Sequence, residues 1–271
     1  WLHARTGQAR VADWSLPHLF GYLGGSFSAG IVLGQTEDQL VSSLGLACMQ
    51  AAGSKEAGFG VGSTARAIYP AFAAMGGVQA ALLSQAGIVG PSSGLDGAAG
   101  LFKLYLGAPA GDAQRALLLD PLPWHFAETQ VKPWPCCRLS HPYVAAALSV
   151  RAALGDPASA TRITVAVNAS AAKLCHPIAA RRRPTTLQDA KYSIPYMTAF
   201  ALAHGAIDLR TLNDDALHDR AVQSVADRIE IAETLPDRPG HPPAQIAVET
   251  ADGRTLHSGR TLAFNLDGAA T

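Results

Sequence analysis

From Leu16 to Leu119 the apolar residues recur at helical spacing and do not alternate as they would along a half-buried strand. This part of the chain must therefore bury its apolar surface by packing helix against helix. Thr36-Glu37-Asp38-Gln39 has the form of a capping box, with Thr36 as N-cap and Gln39 reaching back, and Leu40, Leu44, Ala47, Cys48 and Ala51 follow on one stripe. Pro70 suits the first position of a second helix. Its stripe of Ala74, Val78, Ala81 and Leu82 runs until Gly87 ends it, and Gly76 and Gly77 leave room for a neighbouring helix to come close.

Past "DPLPWHF" the text changes: proline, charge and β-branched runs become common, which places a boundary at about residue 125. "RITVAVNA" reads as a strand, and "PYVAAALSVRAAL" as a helix closed by Gly155. "DALHDRAVQSVADR" reads as an amphipathic helix introduced by Asn213. "RIEIAET", "AQIAVET" and "RTLHSGRTLAF" read as further strands, the last two joined through Asp252-Gly253, a hairpin signal. The expected fold is mostly α: an all-helical domain over residues 1–125, then a smaller α+β domain over 126–271 with an antiparallel sheet covered by helices.

Charge narrows the partners. Twenty-one basic residues balance twenty-one acidic ones, so no long-range field draws the protein to nucleic acid or anionic lipid. "RRRP" at 181–184 is too short for a nucleic-acid surface and reads as a solvated turn. No apolar run reaches the roughly 20 residues of a membrane span. Four cysteines, at 48, 136, 137 and 175, make no disulfide framework and point to a reducing compartment, the cytoplasm. The opening "WLHARTGQARVADW" has neither an initiator methionine nor a signal-peptide pattern, and reads as a chain entered midway.

Candidate chemistry gathers in "VKPWPCCRLSHPYVAAAL", residues 131–148. Cys136, Cys137 and His141 are zinc-ligand types, but side chains of adjacent cysteines point apart and structural zinc uses spaced pairs. The missing Cys-x-x-Cys spacing argues against a redox pair, so no metal and no cofactor is expected here. Pro142 at the first helical position puts His141 at the N-cap, beside the positive end of the helix dipole, where an imidazole stays neutral and can serve as a base. Lys132, fixed by prolines, can hold a carboxylate.

"KPWPCCRLSHPYVAAAL" resembles the lysine–aromatic–proline–cysteine–histidine signature of the MmgE/PrpD family, which includes 2-methylcitrate dehydratase, cis-aconitate decarboxylase and iminodisuccinate epimerase. "GYLGGSFSAGIVLGQTEDQL", "AAMGGVQAALLSQAGIVGPSSGLDG" and "DAKYSIPYMTAFALAHGAIDL" resemble further family segments, in family order. The resemblance implies a helical domain, a smaller α+β lid and a site that works without cofactor. It also implies a homodimer, and family helices before the point where this sequence starts, which a separate N-terminal segment could supply. The expected substrate is a small di- or tricarboxylate.

Family chemistry removes a proton next to a carboxylate, which needs a base, an acid and cations to hold negative charge. Carried over by position, the family's histidine after tryptophan falls on Ser15, its lysine on Arg66 and a second histidine on Tyr69. The lysine of the decarboxylase branch falls on Met75. The candidates are Lys132 as carboxylate anchor, His141 and Tyr69 as acid/base groups, and Arg66, Cys137, Arg138, Lys191, Tyr196 and Ser15 as substrate contacts. Three readings stay open: a dehydratase acting on a substrate such as 2-methylcitrate, an epimerase or isomerase of a related carboxylate, and an inactive binding or assembly subunit.

Overall fold

The computed structural model describes residues 14–56, 60–119, 131–237 and 243–259. The chain divides into two compact units, Trp1–Gly58 with Ala65–Thr129, and Phe59–Thr64 with Gln130–Thr271. The sequence boundary at about residue 125 and the end of the last strand signal lie outside the described residues.

The first unit is helical: α1 (Leu16–Val32), α2 (Glu37–Gln50), α3 (Tyr69–Gln85) and α4 (Asp112–Leu119). The Thr36–Gln39 capping box forms as the sequence requires, with Thr36 accepting from the Gln39 N–H and the Gln39 side chain accepting from the Thr36 N–H. α1 and α3 run parallel, because Gly21 faces Ala73 while Gly25 faces Gly77. Small residues set this approach. The buried face of α3 is Ala73, Gly76, Gly77, Ala80, Ala81 and Ser84, whereas Val78 and Leu82 of the expected stripe are 45% and 50% exposed. The stripe is thus corrected by about one residue per turn, since backbones this close admit only hydrogen or methyl between them. Leu16, Leu19, Tyr22, Leu46 and Phe102 fill the rest of this core.

The second unit holds α5 (His141–Leu154), β1 (Ala160–Ala166), α6 (Ala169–Ala172), α7 (Ile178–Arg182), α8 (Leu187–Lys191), α9 (Ile194–His204), α10 (Arg220–Asp227), β2 (Ile229–Ala232), β3 (Gln245–Thr250) and β4 (Thr255–His257). Its sheet has the order β2-β1-β3-β4. β1 pairs antiparallel with β3, opposing Ile163 to Val248 and Val165 to Ile246, and β3 pairs antiparallel with β4 across the Gly253 turn, where φ is +84°. β1 and β2 are parallel, so the sheet is mixed rather than antiparallel. The helical segment between them serves as the crossover that a parallel pair requires. The mostly α class with a small α+β domain holds.

Two further expectations are corrected here. The helix introduced by Asn213 is divided: Asn213 caps a 3-10 turn, Asp214–His218, and Asp219 caps α10 by accepting from the Ala221 and Val222 N–H groups. "RRRP" is no solvated turn. Arg181 is 1% exposed and donates to the carbonyls of His176 and Tyr192, Arg182 donates to the Ile229 carbonyl, and Arg183 pairs with Asp227. Buried carbonyls that no N–H reaches draw the guanidinium groups in. Among the described residues no helix is long and apolar enough to cross a membrane.

Tyr143 on α5 is fully buried, and its hydroxyl finds no hydrogen-bond partner among the described residues. Burial, reinforced by nearby Cys175, raises the pKa of that phenol, so it stays protonated. Removing an unsatisfied buried hydroxyl relieves a desolvation cost, and Tyr143→Phe is expected to leave stability unchanged or raise it by up to about 1 kcal/mol. Chemical denaturation checks this, and a clear loss would show that the hydroxyl is bonded in solution.

Candidate active site

In the first unit, the parallel course of α1 and α3 brings their first turns together at one end of a groove of about 380 Å³. The groove is lined by Pro17, His18 and Gly21 from α1 and by Tyr69, Pro70 and Ala73 from α3. Both helices point their positive ends here, an arrangement that favours an anion. Ser15, the N-cap of α1, is buried and donates its N–H to the Gly53 carbonyl. Its hydroxyl lies 3.4 Å from His18 Nδ1. Tyr69 packs against His18 with the rings tilted by 32° and their centroids 3.6 Å apart, and the Arg66 guanidinium stands 5.7 Å from the Tyr69 ring centre. Ser15 and Tyr69, carried separately through the sequence, thus meet at His18, which sequence reasoning missed, and Arg66 stands beside Tyr69. A signal was present: His18 follows Ser15 by three residues, so the two share a helix face.

The second unit carries its own cavity, about 520 Å³, lined by Lys132, Trp134, Lys191, Tyr192, Asp208 and Arg210 among others. Prolines on both sides hold Trp134, and local bonds hold the loop: the Cys136 N–H donates to the Trp134 carbonyl at 2.8 Å and Lys132 Nζ to the Cys136 carbonyl at 3.1 Å. The Cys137 N–H donates to the Lys191 carbonyl at 2.8 Å, tying this loop to the end of α8. Asp189, on the same helix, accepts the Gly62 N–H with both carboxylate oxygens, at 3.1 and 2.9 Å. Asp208 is occupied by its own turn: hydrogen bonds first from the Thr211 N–H and then from the Arg210 N–H hold its carboxyl below the usual range. Arg210 pairs with Asp208 at 3.3 Å, so Lys132 and Lys191 give the cavity its positive character.

The other candidates of this unit are not among the residues that line the cavity. His141 is 4% exposed and meets the Trp134 ring edge to face, centroids 5.5 Å apart, so it stands behind that ring. It is not the N-cap. The chain already turns helically through Arg138–Ser140, Ser140 takes the cap position, and His141, with φ −58° and ψ −45°, is the first helical residue. Arg138 is exposed and Cys137 half-buried, both outside the cavity lining. Tyr196 is corrected outright: fully buried on α9, it donates its hydroxyl to the Ala216 carbonyl at 2.7 Å and belongs to the core. Met75 is exposed on α3.

Burial first, and then the neighbouring Cys137, push the Cys136 thiol up to about 12 against a smaller opposing pull from Lys132. A thiol so placed is no nucleophile at neutral pH. Iodoacetamide at neutral pH is expected to label Cys136 only after denaturation, as mass spectrometry of the digested protein would show. Among the described residues no group of His, Cys, Asp and Glu is gathered as metal ligands would be.

These positions can be set beside known sequences. Residues 4–113 match the MmgE/PrpD N-terminal domain and residues 134–264 match the MmgE/PrpD C-terminal domain. The chain is 27% identical over 262 residues to the cis-aconitate decarboxylase-like protein oryM of Aspergillus oryzae (strain ATCC 42149 / RIB 40), a match covering 90% of this chain and 52% of that protein. The chain thus spans about half the length of that curated relative. With both family domains matched in order, together over most of its length, this chain belongs to the MmgE/PrpD family.

Proposed function

We propose that this protein is a lyase that works without cofactor, dehydrating a hydroxylated di- or tricarboxylate such as 2-methylcitrate. One observation carries the reading: Lys132 and Lys191 line one cavity beside Trp134 and Tyr192. Two ammonium groups facing one hollow suit a substrate with carboxylates, and they stabilise the charge that builds on a carboxylate when the neighbouring C–H bond is broken. The electron pair of that bond forms the C=C bond, the C–O bond on the adjacent carbon breaks, and the departing hydroxyl takes up a proton and leaves as water. His141 is the base of this reading. It stands behind Trp134, so rotation of that ring is part of the proposal. Family membership and the name of the relative, cis-aconitate decarboxylase-like, support a lyase acting on a polycarboxylate.

The test is incubation of the full chain with 2-methylcitrate, following the absorbance of an unsaturated product, in parallel with incubation in deuterated water. Product formation supports dehydration. Deuterium uptake at the carbon next to a carboxylate without elimination replaces dehydration by epimerisation. Neither signal, with citrate and 2-methylcitrate both failing to bind, overturns the proposal.

A further inference from the structure

We infer that His18 is a positioning residue that holds Tyr69 for work in the first unit's groove. The inference rests on the proposed carboxylate chemistry for its kinetic consequence only. His18 Nε2 lies 2.5 Å from the Tyr69 carbonyl oxygen. A carbonyl can only accept, so Nε2 carries the proton and Nδ1, facing the Ser15 hydroxyl at 3.4 Å, is the acceptor in the neutral ring. The same imidazole covers the Tyr69 ring at a centroid distance of 3.6 Å and an interplanar angle of 32°. One side chain thus fixes both the backbone and the ring of one tyrosine.

Its own seat is equally constrained. At Gly53, where φ is +147°, a Cβ would come within 2.7 Å of His18 Cβ, so glycine is required there to leave space for the imidazole. His18 itself is only 5% exposed. Tyr69, in contrast, is half-buried, and among the described residues its hydroxyl makes no hydrogen bond. A histidine that merely completes a core would be expected to pack against a tyrosine whose hydroxyl is already bonded, as the Tyr196 hydroxyl is to the Ala216 carbonyl. Here the ring is clamped, the hydroxyl is left for something else, and both rings line a groove at the converging positive ends of two helices. That combination orients a proton-donating phenol toward an anionic ligand.

The experiment uses the full chain carrying 3-fluorotyrosine, with the Tyr69 signal identified by its loss in Tyr69→Phe. His18→Phe keeps a ring over Tyr69 and removes the Nε2 donor, while His18→Gln keeps a donor and removes the ring. In both variants the Tyr69 fluorine signal is expected to shift and broaden while the other tyrosine signals stay in place. With 2-methylcitrate turned over, His18→Phe is expected to lower kcat of the folded protein about 100-fold with KM within about twofold of wild type, beyond the modest fall in melting temperature that loss of a buried hydrogen bond brings. A purely structural histidine would lower the melting temperature and leave kcat of the folded fraction alone, and that result overturns the inference. If no carboxylate is turned over, the proposed function fails by itself. The fluorine signal then decides: a Tyr69 resonance unmoved in both folded variants overturns the positioning role.

Discussion

Replacing Lys132 and Lys191 together by methionine is expected to weaken citrate binding by about 100-fold or more, because each charge-assisted contact to a carboxylate contributes about 1.5–3 kcal/mol and tenfold in affinity is about 1.4 kcal/mol. The lower end applies, since Lys132 is exposed and Lys191 half-buried, leaving water and salt to screen both charges. Calorimetric titration at physiological ionic strength measures the loss, and wild-type affinity should itself fall as salt is raised. Lys191→Met alone is the cleaner single variant. Lys132 also donates to the Cys136 carbonyl, so its replacement loosens the loop that carries Trp134 as well as removing a charge. Affinity within about threefold of wild type in the double variant would separate the cavity from carboxylate binding altogether.

Gly77→Val is expected to be the most damaging single change in the first unit. A Cβ at Gly77 would lie 2.6 Å from the Ser26 nitrogen and 2.8 and 2.9 Å from Gly25 C and Cα. These are backbone atoms of α1, which no rotamer change can move aside, so the two helices must separate. Overpacking costs about 1–3 kcal/mol even where side chains can adjust, and the larger figure or more applies here. Gly24→Ala is the counterpart: a methyl at Gly24 meets nothing within 4 Å, and alanine in a helix interior is expected to add about 0.5–1 kcal/mol. Chemical denaturation of the pair should move the transition in opposite directions. A Gly77→Val protein as stable as wild type would mean that α1 and α3 do not pack through glycine in solution.

Several elements were legible because their determinants are local. The Thr36–Gln39 box, the Gly155 helix stop and the Asp252-Gly253 turn each depend on groups a few residues apart, and each stands where the sequence places it. Part of the candidate site was legible for another reason: Lys132 and His141 sit in one short, proline-rich segment whose pattern survives intact. Cys137 and Lys191 are 54 positions apart by the chain numbering, yet a single hydrogen bond joins their backbones. No local pattern reports such a meeting.

The sequence by itself determined the helical first unit, the α+β second unit and the identity of the residues able to bind or move protons, because periodicity and capping act within a turn or two of backbone. Tertiary structure alone decided that β2 joins β1 in parallel, that Arg181 lies inside rather than outside, that Tyr196 belongs to the core, and that His18 meets Tyr69. Each of those outcomes is a choice among distant partners for a buried backbone or polar group, and the choice is made by which carbonyl, ring or strand edge the completed packing leaves within reach.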